Sequence, residues 1–445
     1  FRGAANSDDV MDFQVFMSPG DVWTAAVSAG SDGVATLTTG DGTCTLLALA
    51  KGVPQAFVQD RLNSALSAAD KANNTREGYV EIFNMADIPE NTATTSLYTA
   101  IKHVNGVAPC TASVMDAQSA DLKAADAVNN PRTRGYSWPT GGLYANWILV
   151  NTTDKASFSG EAVAIRAEAA GVNAAGNLVS FPQTTDAPDY ATSTEAAPNQ
   201  VRGFTADPLL QSTGFKAEVA NYDFPDLSTP YTSLAGLGAN AALRPLAQAT
   251  NLTNAIKVTS ITNQYANDAS ISAKTDWVFS MPTRRYNVAA NYAATSTTAN
   301  DYRLFSNLAT SAWGDEMFTA VNTTALATNG AICVNADAQT FYDREETTKT
   351  SGAVFSPGTV SATRFCGETS VLSFGTTGSG VLGAALAAQF TETAAYTNGW
   401  GVINTSNGGV GLPILGSAFI KLTNPQASAG VSGNYGITWP HRFTK

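Results

Sequence analysis

Charged residues, histidine and cysteine are scarce in this chain. Only 14% of its 445 residues are charged, two are histidine and four are cysteine, whereas roughly 25% of the residues in an average soluble domain are charged. No two cysteines form a CxxC pair and only two histidines could assist them, so the sequence predicts no zinc site. No apolar run reaches the roughly 18 residues that a membrane-spanning helix needs, so no membrane span is predicted.

The charges that are present are mostly acidic. The chain has 36 acidic and 25 basic residues, which gives a formal net charge of −11. A polyanion repels nucleic acid and anionic membranes, which makes both poor partners. Because the acidic residues are spread along the chain without a long run, we interpret them as a contribution to solubility.

The four cysteines fall as one pair in each half of the sequence. We predict two disulfides, Cys44–Cys110 and Cys333–Cys366, in an oxidising compartment, with free thiols as the alternative. The sequence opens at Phe1 without a signal peptide. We therefore expect either that a signal was removed or that residues before Phe1 are missing.

Short strands separated by turn residues dominate the pattern. EGYVEIFNM presents two differing faces, and NWILVNTTDKASFSGEAVAIRA is typical of a hairpin. Helical patterns are restricted to residues 54–74 and 114–128. The sequence therefore predicts an all-β protein of two β-sandwich, immunoglobulin-like domains with short helical insertions.

Composition places the domain boundaries. Residues 184–238 are rich in Pro, Ser, Thr and Asp, which predicts a linker or long loops. We place an N-terminal β-sandwich domain with the helical insertions at residues 1–183. A C-terminal β-sandwich domain follows at residues 239–445.

Motifs for catalysis and cofactors are weak. Gly378–Gly383 matches GxGxxG, but no βαβ unit and no acidic residue about 20 positions on accompany it, which favours a glycine-rich turn. A Ser-His-Asp triad would have to use His103 or His441, and both are interpreted as hydrogen-bonded structural or surface residues. The sequence therefore predicts no enzyme, no catalytic residue and no cofactor.

Acidic clusters keep two alternatives open. Asp343, Glu345 and Glu346 lie together in FYDREE, and two convergent carboxyl groups would favour a secreted hydrolase. Calcium could bind the oxygens of NSDDVMD or of the SDG and GDG turns. Tight-turn geometry explains the Asp-Gly pairs equally well.

Aromatic residues and sequons mark candidate surface features. Trp138 and Trp147 in GYSWPTGGLYANW could stack on sugars in an adhesin or carbohydrate-binding module, although buried core aromatics are the competing interpretation. Five N-x-[ST] sequons predict exposed turns that could be glycosylated: Asn73, Asn151, Asn251, Asn322 and Asn404.

A family of secreted proteobacterial proteins, usually described only as cell surface or hypothetical proteins, resembles this chain from about Asp9 to Arg442. The resemblance is carried, in the same order, by DVMDFQVFMSPGDVWTAAV, TREGYVEIFNMADI, PTGGLYANWILVN, TDWVFSMPTRRYNV, FYDREE, CGETSVLSF and GNYGITWPHRF. It implies an extracellular location. The family has cysteines near all four positions, which favours the two disulfides, and has no assigned catalytic residues.

One departure from that family suggests self-association. Family members have strand-like segments before the part that matches FRGAANSDDVMDF, and these segments are absent here. Their absence would leave strand edges that recruit a second copy. Proteolysis or an incompletely determined N-terminus is the alternative.

These features together predict an extracellular structural protein at the cell surface, a subunit of a filament, sheath or biofilm-matrix polymer. Its main partner would be itself, assembled by strand complementation, and surface polysaccharide is a second candidate partner. Tyr435, Ile437 and Trp439 alternate as the apolar face of a last strand that Pro440 ends, and with Phe1 they are the predicted subunit interface. A virus or phage shell protein also fits the composition.

Overall fold

The computed structural model describes the chain in separate ranges. These are residues 1–5, 10–46, 48–59, 62, 66–82, 87–115, 117, 143–165, 253–284, 323–325, 331–346, 364–374, 378–385, 388–392, 397–405 and 410–445. The linker predicted at 184–238 lies outside them, as do Trp138, Asn251 and Asn322.

Small sheets and two short helices make up the first part of the described chain. Its elements are β1 (Arg2–Gly3), β2 (Gln14–Val15), β3 (Ala26–Ala29), β4 (Ala35–Thr38), β5 (Thr45–Leu46), β6 (Gln55–Ala56), α1 (Ala68–Asn74), β7 (Gly78–Tyr79), α2 (Leu97–Ile101), β8 (Asn146–Asn151) and β9 (Ala156–Glu161). β1 pairs with β7, β2 with β5 and β8 with β9, and β3, β4 and β6 form a three-stranded sheet. Over the described residues this part is therefore β-rich, but it lacks two large facing sheets.

Longer strands make up the second part. They are β10 (Ser260–Ala266), β11 (Ala273–Ser280), β12 (Thr323–Ala325), β13 (Ile332–Asn335), β14 (Ala338–Asp343), β15 (Arg364–Cys366), β16 (Thr369–Phe374), β17 (Ala388–Glu392), β18 (Asn398–Asn404), β19 (Leu415–Ser428), β20 (Val431–Pro440) and β21 (Arg442–Thr444). A five-stranded sheet has the order β17–β16–β11–β19–β20, a four-stranded sheet the order β14–β18–β10–β21, and a third sheet the order β12–β13–β15. All pairs are antiparallel except β16–β17. The described chain is therefore all-β, as predicted.

The two larger sheets share one apolar core. Tyr265 of the four-stranded sheet stacks on Phe374 of the five-stranded sheet with ring centroids 4.5 Å apart. Trp277, which is fully buried, lies 5.9 Å from Phe341 of the opposite sheet and donates from Nε1 to the carbonyl of Gln264. Alternate residues of β11 thus point into this core, as expected of a strand.

The other face of the five-stranded sheet is also covered. Phe158 of the hairpin β8–β9 packs edge-on against Phe419 of β19 at 5.6 Å. Ala4, next to β1, packs against Val371 of β16. The hairpin has the predicted strand–turn–strand pattern, and it packs on a sheet that belongs to the other predicted domain. The domain boundaries themselves stay a prediction.

A buried ion pair lies where the N-terminal segment meets the larger sheets. Arg284 Nε lies 2.8 Å from Glu368 Oε1, and neither side chain is exposed. Tyr79 of β7 donates to Glu368 Oε2 over 3.2 Å, and the carbonyl of Ala4 accepts from the backbone N–H groups of Glu368 and Thr369. Residues distant in the sequence are therefore held at one buried carboxylate.

Both predicted disulfides are present. Cys44–Cys110 joins the residue before β5 to the segment after α2, and Cys333–Cys366 joins directly opposite positions of β13 and β15. Each closes a loop long enough to stabilise the fold by about 4 kcal/mol on the loop-entropy model. The two bonds indicate an oxidising, non-cytoplasmic environment.

The helices differ from the predicted ones. Within the described residues of the 54–74 pattern, the helix is confined to the end of the pattern, where Ser67 accepts from the N–H of Asp70 and caps α1. Gln55 lies instead in β6, paired with Leu37 of β4. Tertiary strand pairing therefore overrides the local helical pattern. Most of the second pattern, at 114–128, lies outside the described residues. Among all described residues of the chain, no helix is long and apolar enough to cross a membrane.

The chain passes from one large sheet to the other at His441. β20 ends at Pro440 and β21 begins at Arg442 in the other sheet, so His441 is buried between them with 3% exposure. Its Nε2 is 3.0 Å from the Val278 carbonyl and its Nδ1 is 2.9 Å from Asn263 Nδ2. Because a carbonyl only accepts, Nε2 carries the proton and Nδ1 accepts from the amide. The ring is therefore satisfied in its neutral form, and burial lowers the pKa of His441 from 6.5 to about 3.

This buried histidine predicts a loss of stability in acid. Below pH 6.5 the unfolded chain binds a proton at His441, whereas the folded chain binds it only when the pH nears 3. The free energy of unfolding therefore falls by about 1.4 kcal/mol per pH unit between these two values. Urea unfolding between pH 7 and pH 4.5 should show a loss of about 2–3 kcal/mol. His441→Gln, which keeps a donor and an acceptor, should be less stable at pH 7 but lose most of this pH dependence. An unchanged slope in His441→Gln would contradict the assignment.

Candidate functional site

Strand β20 carries the predicted stripe of alternating apolar residues on one face. Tyr435, Ile437 and Trp439 lie on one face of β20, directly opposite Leu422, Ile420 and Ala418 of β19. Ala418 belongs to the core between the two larger sheets, so the stripe continues the core face outward. Tyr435 and Trp439 are each 47% exposed, and Ile437 is half-buried. The stripe is therefore a part of the core face that sheet packing leaves partly open to water.

Nothing in the sequence of β20 protects its edge. β20 is the last strand of its sheet and, among the described residues, pairs only with β19. None of its ten residues is charged, and Pro440 removes a backbone donor only at its end. Edge strands of soluble proteins are usually blunted by charge, proline or a covering segment. Within the described residues, the edge of β20 therefore lacks a charged side chain and a second paired strand.

Close packing on the opposite face of β20 requires a glycine. A Cβ atom at Gly436 would lie 2.2 Å from the carbonyl oxygen of Ser157 in β9 and 2.9 Å from the ring of Phe158. At the nearby turn, Asp154 accepts from Lys421 Nζ over 2.6 Å, and this hydrogen bond lowers the pKa of Asp154. The hairpin β8–β9 therefore holds one face of β20 in place and leaves the stripe on the other.

Phe1, the fourth residue predicted for the interface, packs in the N-terminal core. Its ring lies 5.2 Å from that of Phe57 and 6.3 Å from that of Phe13, and its amino group donates to the carbonyl of Met11. These contacts fix the ring beside other aromatic residues. Its role in an interface stays a prediction.

The three carboxylates proposed for a hydrolase lie at the end of β14 and in the turn that follows it. Asp343 Oδ1 accepts from the N–H of Glu345, and the carbonyl of Asp343 accepts from the N–H of Glu346. Glu345 and Glu346 are exposed. Their backbone contacts make Asp343 a turn-capping residue, which is a common role for aspartate.

The GxGxxG motif forms an anion-binding loop, and the anion that it binds is a carboxylate of the same chain. The loop lies in the crossover between the parallel strands β16 and β17, and Gly378 and Gly383 take positive φ angles of 81° and 67°. The backbone N–H groups of Gly380, Val381 and Leu382 donate to the carboxylate of Asp276 over 3.0–3.1 Å. Successive N–H groups in such a loop form a concave anion site. A side chain of β11 fills the site, which fits the predicted glycine-rich turn.

Two serine hydroxyls complete the shell around Asp276. Ser373, which is directly opposite Asp276 in β16, donates to Oδ1 over 2.6 Å, and Ser379 donates to Oδ2. Asp276 has no exposed surface. The carboxylate thus accepts five hydrogen bonds, which balance the cost of burying its charge.

Removal of this carboxylate should detach the crossover. Asp276→Ala leaves five donors without their acceptor and should destabilise the fold by about 3 kcal/mol or more, measured by thermal or urea unfolding. Formate, which has the size and charge of the missing group, should restore part of the melting temperature where chloride at equal ionic strength does not. Asp268→Ala is the matched control, because Asp268 also accepts from a backbone N–H, that of Ser270, but on the surface. A formate effect of equal size in both variants would contradict the internal-anion assignment.

Of the two tryptophans proposed to stack on sugars, only Trp147 lies in the described residues. Its ring packs 5.7 Å from that of Phe419. A Cβ atom added at Gly160, its cross-strand partner, would lie 2.6 Å from the indole. Trp147 thus packs against the protein, which is the competing interpretation of the sequence.

An aromatic pair that sequence reasoning missed lies on the four-stranded sheet. Tyr342 and Trp400 are direct cross-strand partners on β14 and β18, and their rings stack at 4.2 Å and 13°. Both are half-buried, and the exposed Gln264 of β10 is the partner of Trp400 on its other side. Alternating residues in FYD and NGWG indicate two strands in the sequence. Only the register between those strands brings the two rings together.

The described sequons differ in exposure. Asn404 is exposed, whereas Asn73 and Asn151 are partly buried. Asn151 also exchanges two hydrogen bonds with Asp154 across the β8–β9 turn, one to the backbone and one to the carboxylate. Asn404 is therefore the most accessible of the three for modification.

The turns considered for calcium are capped by their own aspartates. Asp32 accepts from the N–H of Val34, and Asp41 accepts from the N–H and hydroxyl of Thr43. The hydroxyl of Thr43 lowers the pKa of Asp41. Among the described residues, no three His, Cys, Asp or Glu side chains are placed to hold a metal ion. Asp8 and Asp9 lie outside those residues.

Comparisons with known proteins identify no relative. The chain matches no family model, no curated protein and no solved structure. The resemblance to secreted proteobacterial surface proteins therefore stays a prediction.

Proposed function

We propose that the protein is an extracellular structural protein, a subunit of a cell-surface filament, sheath or biofilm-matrix polymer, and that copies assemble by strand pairing at β20. The observation that carries the proposal is the uncharged ten-residue edge strand with a half-exposed stripe of Tyr435, Ile437 and Trp439. A neighbour's strand would extend the sheet through backbone hydrogen bonds and cover the apolar stripe. The proposal includes membership of the family of secreted proteobacterial surface proteins and the absence of catalytic activity.

The rest of the molecule supports such a role in physical terms. Two disulfides and a sheet covered on both faces resist unfolding outside the cell. The charged fraction of 14% leaves few charges to repel a neighbouring copy at short range. Immunoglobulin-like sandwich domains are part of the same proposal, since the shared core of the two larger sheets has the layered packing of a sandwich.

Assembly through β20 can be tested by adding a charge to its stripe. The wild-type protein should form high-mass assemblies that resist mild detergent, visible by electron microscopy and size-exclusion chromatography. Trp439→Lys should lose them while it keeps its disulfides and its near-ultraviolet circular dichroism, because the lysine would be buried unpaired in the joined sheet.

Val22→Lys is the matched control, since Val22 is 69% exposed and lies outside the strands. It should assemble like the wild type. A wild-type protein that stays monomeric at high concentration would contradict the proposal.

Polysaccharide binding is the second candidate function, and the stacked pair of Tyr342 and Trp400 favours it. The pair offers an aromatic surface beside the exposed amide of Gln264, a combination suited to a sugar ring. Trp400→Ala should abolish binding on a glycan array or in affinity electrophoresis. Trp147→Ala should bind as the wild type does, because Trp147 packs against Phe419. The absence of wild-type binding across many glycans would count against this function.

A further inference from the structure

The two disulfides of the chain differ in how closely a dissolved molecule can approach them. Cys333 and Cys366 lie in β13 and β15, and both are fully buried. Cys44 is also buried, but its partner Cys110 is half-buried in the segment that follows α2. A dissolved thiol can therefore approach Cys44–Cys110 from the side of Cys110, whereas the fold shields both ends of Cys333–Cys366.

Cys110 belongs to a surface segment, residues 102–114, that makes only local hydrogen bonds. None of its residues is buried, although Ile101 before it and Met115 after it are. Val104 and Val107 exchange two backbone hydrogen bonds across a tight turn. At the two ends of the segment, the described backbone hydrogen bonds also stay within residues 98–115. These bonds shape the segment, but they do not fix it to the sheets.

The disulfide ties the 102–114 segment to a small apolar cluster. Cys44 packs in this cluster with the side chains of Phe16, Leu46, Ile101 and Met115. Cys110 packs against the same cluster from its outer side. Regions with few buried apolar contacts open locally before the main core does. Loss of the bond should therefore free the segment while the larger sheets stay folded.

The backbone of Cys110 has a conformation that is unfavourable for its residue type. Its φ angle is 48°, in the left-handed region, where a Cβ atom meets steric hindrance. Strained residues of this kind are found at switch regions, where the surrounding structure holds them in place. The adjacent residues Pro109 and Thr111 are exposed. Because packing of its neighbours does not hold this angle, Cys110 can relax once its bond to Cys44 is broken.

We propose that Cys44–Cys110 is a site of thiol–disulfide exchange with a low-molecular-weight monothiol. The thiolate of the monothiol attacks Sγ of Cys110, and a new S–S bond forms as the Cys44–Cys110 bond breaks. Cys44 leaves with the bonding electron pair and takes up a proton from the solvent. The products are a mixed disulfide on Cys110 and a thiol on Cys44. The Cys44 Sγ atom lies 4.0 Å from the carbonyl oxygen of Ala100, which can accept the new S–H group.

The exchange controls whether the 102–114 segment is held on the fold. With the disulfide intact, the segment covers one side of the apolar cluster around Cys44. In the mixed disulfide the segment is released and the cluster becomes accessible. This inference does not rest on the proposed function, because neither cysteine lies in β20 or in its neighbours β9 and β19.

The exchange can be tested with reduced glutathione as the monothiol. The folded protein is incubated with an excess of it at about pH 8, where a monothiol is partly ionised. Free thiols are then alkylated with N-ethylmaleimide, and the peptides are mapped by mass spectrometry. At short times Cys110 should carry glutathione and Cys44 should carry the maleimide. This reaction should be at least about 100-fold faster than that of Cys333–Cys366, because the latter requires the larger sheets to open.

Cys333–Cys366 is the internal reference for this measurement. Equal rates at the two bonds would overturn the inference. A chain in which neither bond reacts until urea unfolds it would overturn the inference as well. Glutathione found on Cys44 would also contradict it, since the attack would then have occurred at the buried sulfur.

Release of the segment can be measured by tryptic cleavage after Lys102, which is exposed at its start. Cleavage should become at least about 10-fold faster after exchange and in the double variant Cys44→Ala/Cys110→Ala, because a protease needs a locally unfolded stretch of chain. Lys155 is the matched control site, since it is exposed in the β8–β9 turn, outside the loop that Cys44–Cys110 closes. Cleavage there should not change.

The two cleavage sites distinguish local release from general unfolding. An unchanged rate after Lys102 would show that the disulfide does not hold the segment, and would overturn its release. Faster cleavage at both Lys102 and Lys155 would show that the whole fold opens, which also contradicts the inference. The exchanged wild-type protein gives the same reading if the double variant does not fold.

Discussion

Burial of strand β11 on both faces is the constraint around which the larger sheets are arranged. Trp277 points into the core shared with the four-stranded sheet, and its neighbour Asp276 points the other way without any exposed surface. A buried carboxylate is stable only with several donors around it. The crossover between β16 and β17 supplies three of them from consecutive backbone N–H groups. The glycine-rich loop between β16 and β17 is therefore fixed to one side chain of β11.

Two other buried polar groups connect parts of the chain that strands alone would not join. Glu368 receives Arg284 and Tyr79, so the N-terminal segment is fixed to the larger sheets. Asn263 donates both to the carbonyl of Trp439 and to His441, which joins the two sheets at the point where the chain crosses between them. Each network is satisfied only in one arrangement of its elements, which favours a single fold over near alternatives.

The edge strands β8 and β20 differ from the core in how their polar groups and side chains are covered. The buried side chains of Asp276, Glu368 and His441 have hydrogen-bond partners, whereas β8 and β20 carry neither charge nor a second paired strand among the described residues. The hairpin β8–β9 packs on one face of β20, so the two edges belong to adjacent layers. Assembly through the edge of β20, as proposed above, would continue the sheet structure of one subunit into the next, and would use backbone hydrogen bonds rather than a side-chain pocket for recognition.

The sequence by itself determined the all-β class, both disulfide pairs, the β8–β9 hairpin and the alternation of Tyr435, Ile437 and Trp439, because period-two patterns, turn residues and cysteine spacing are local signals. Only the tertiary structure decided what those residues do. It placed Gln55 in a strand despite a helical pattern and Trp147 against Phe419. It gave the glycine-rich loop an aspartate about 100 residues earlier in the chain as its anion, and it buried His441 between sheets. Strand order, register and burial arise from contacts between distant segments, and periodicity along one segment carries no information about which segment will lie opposite it.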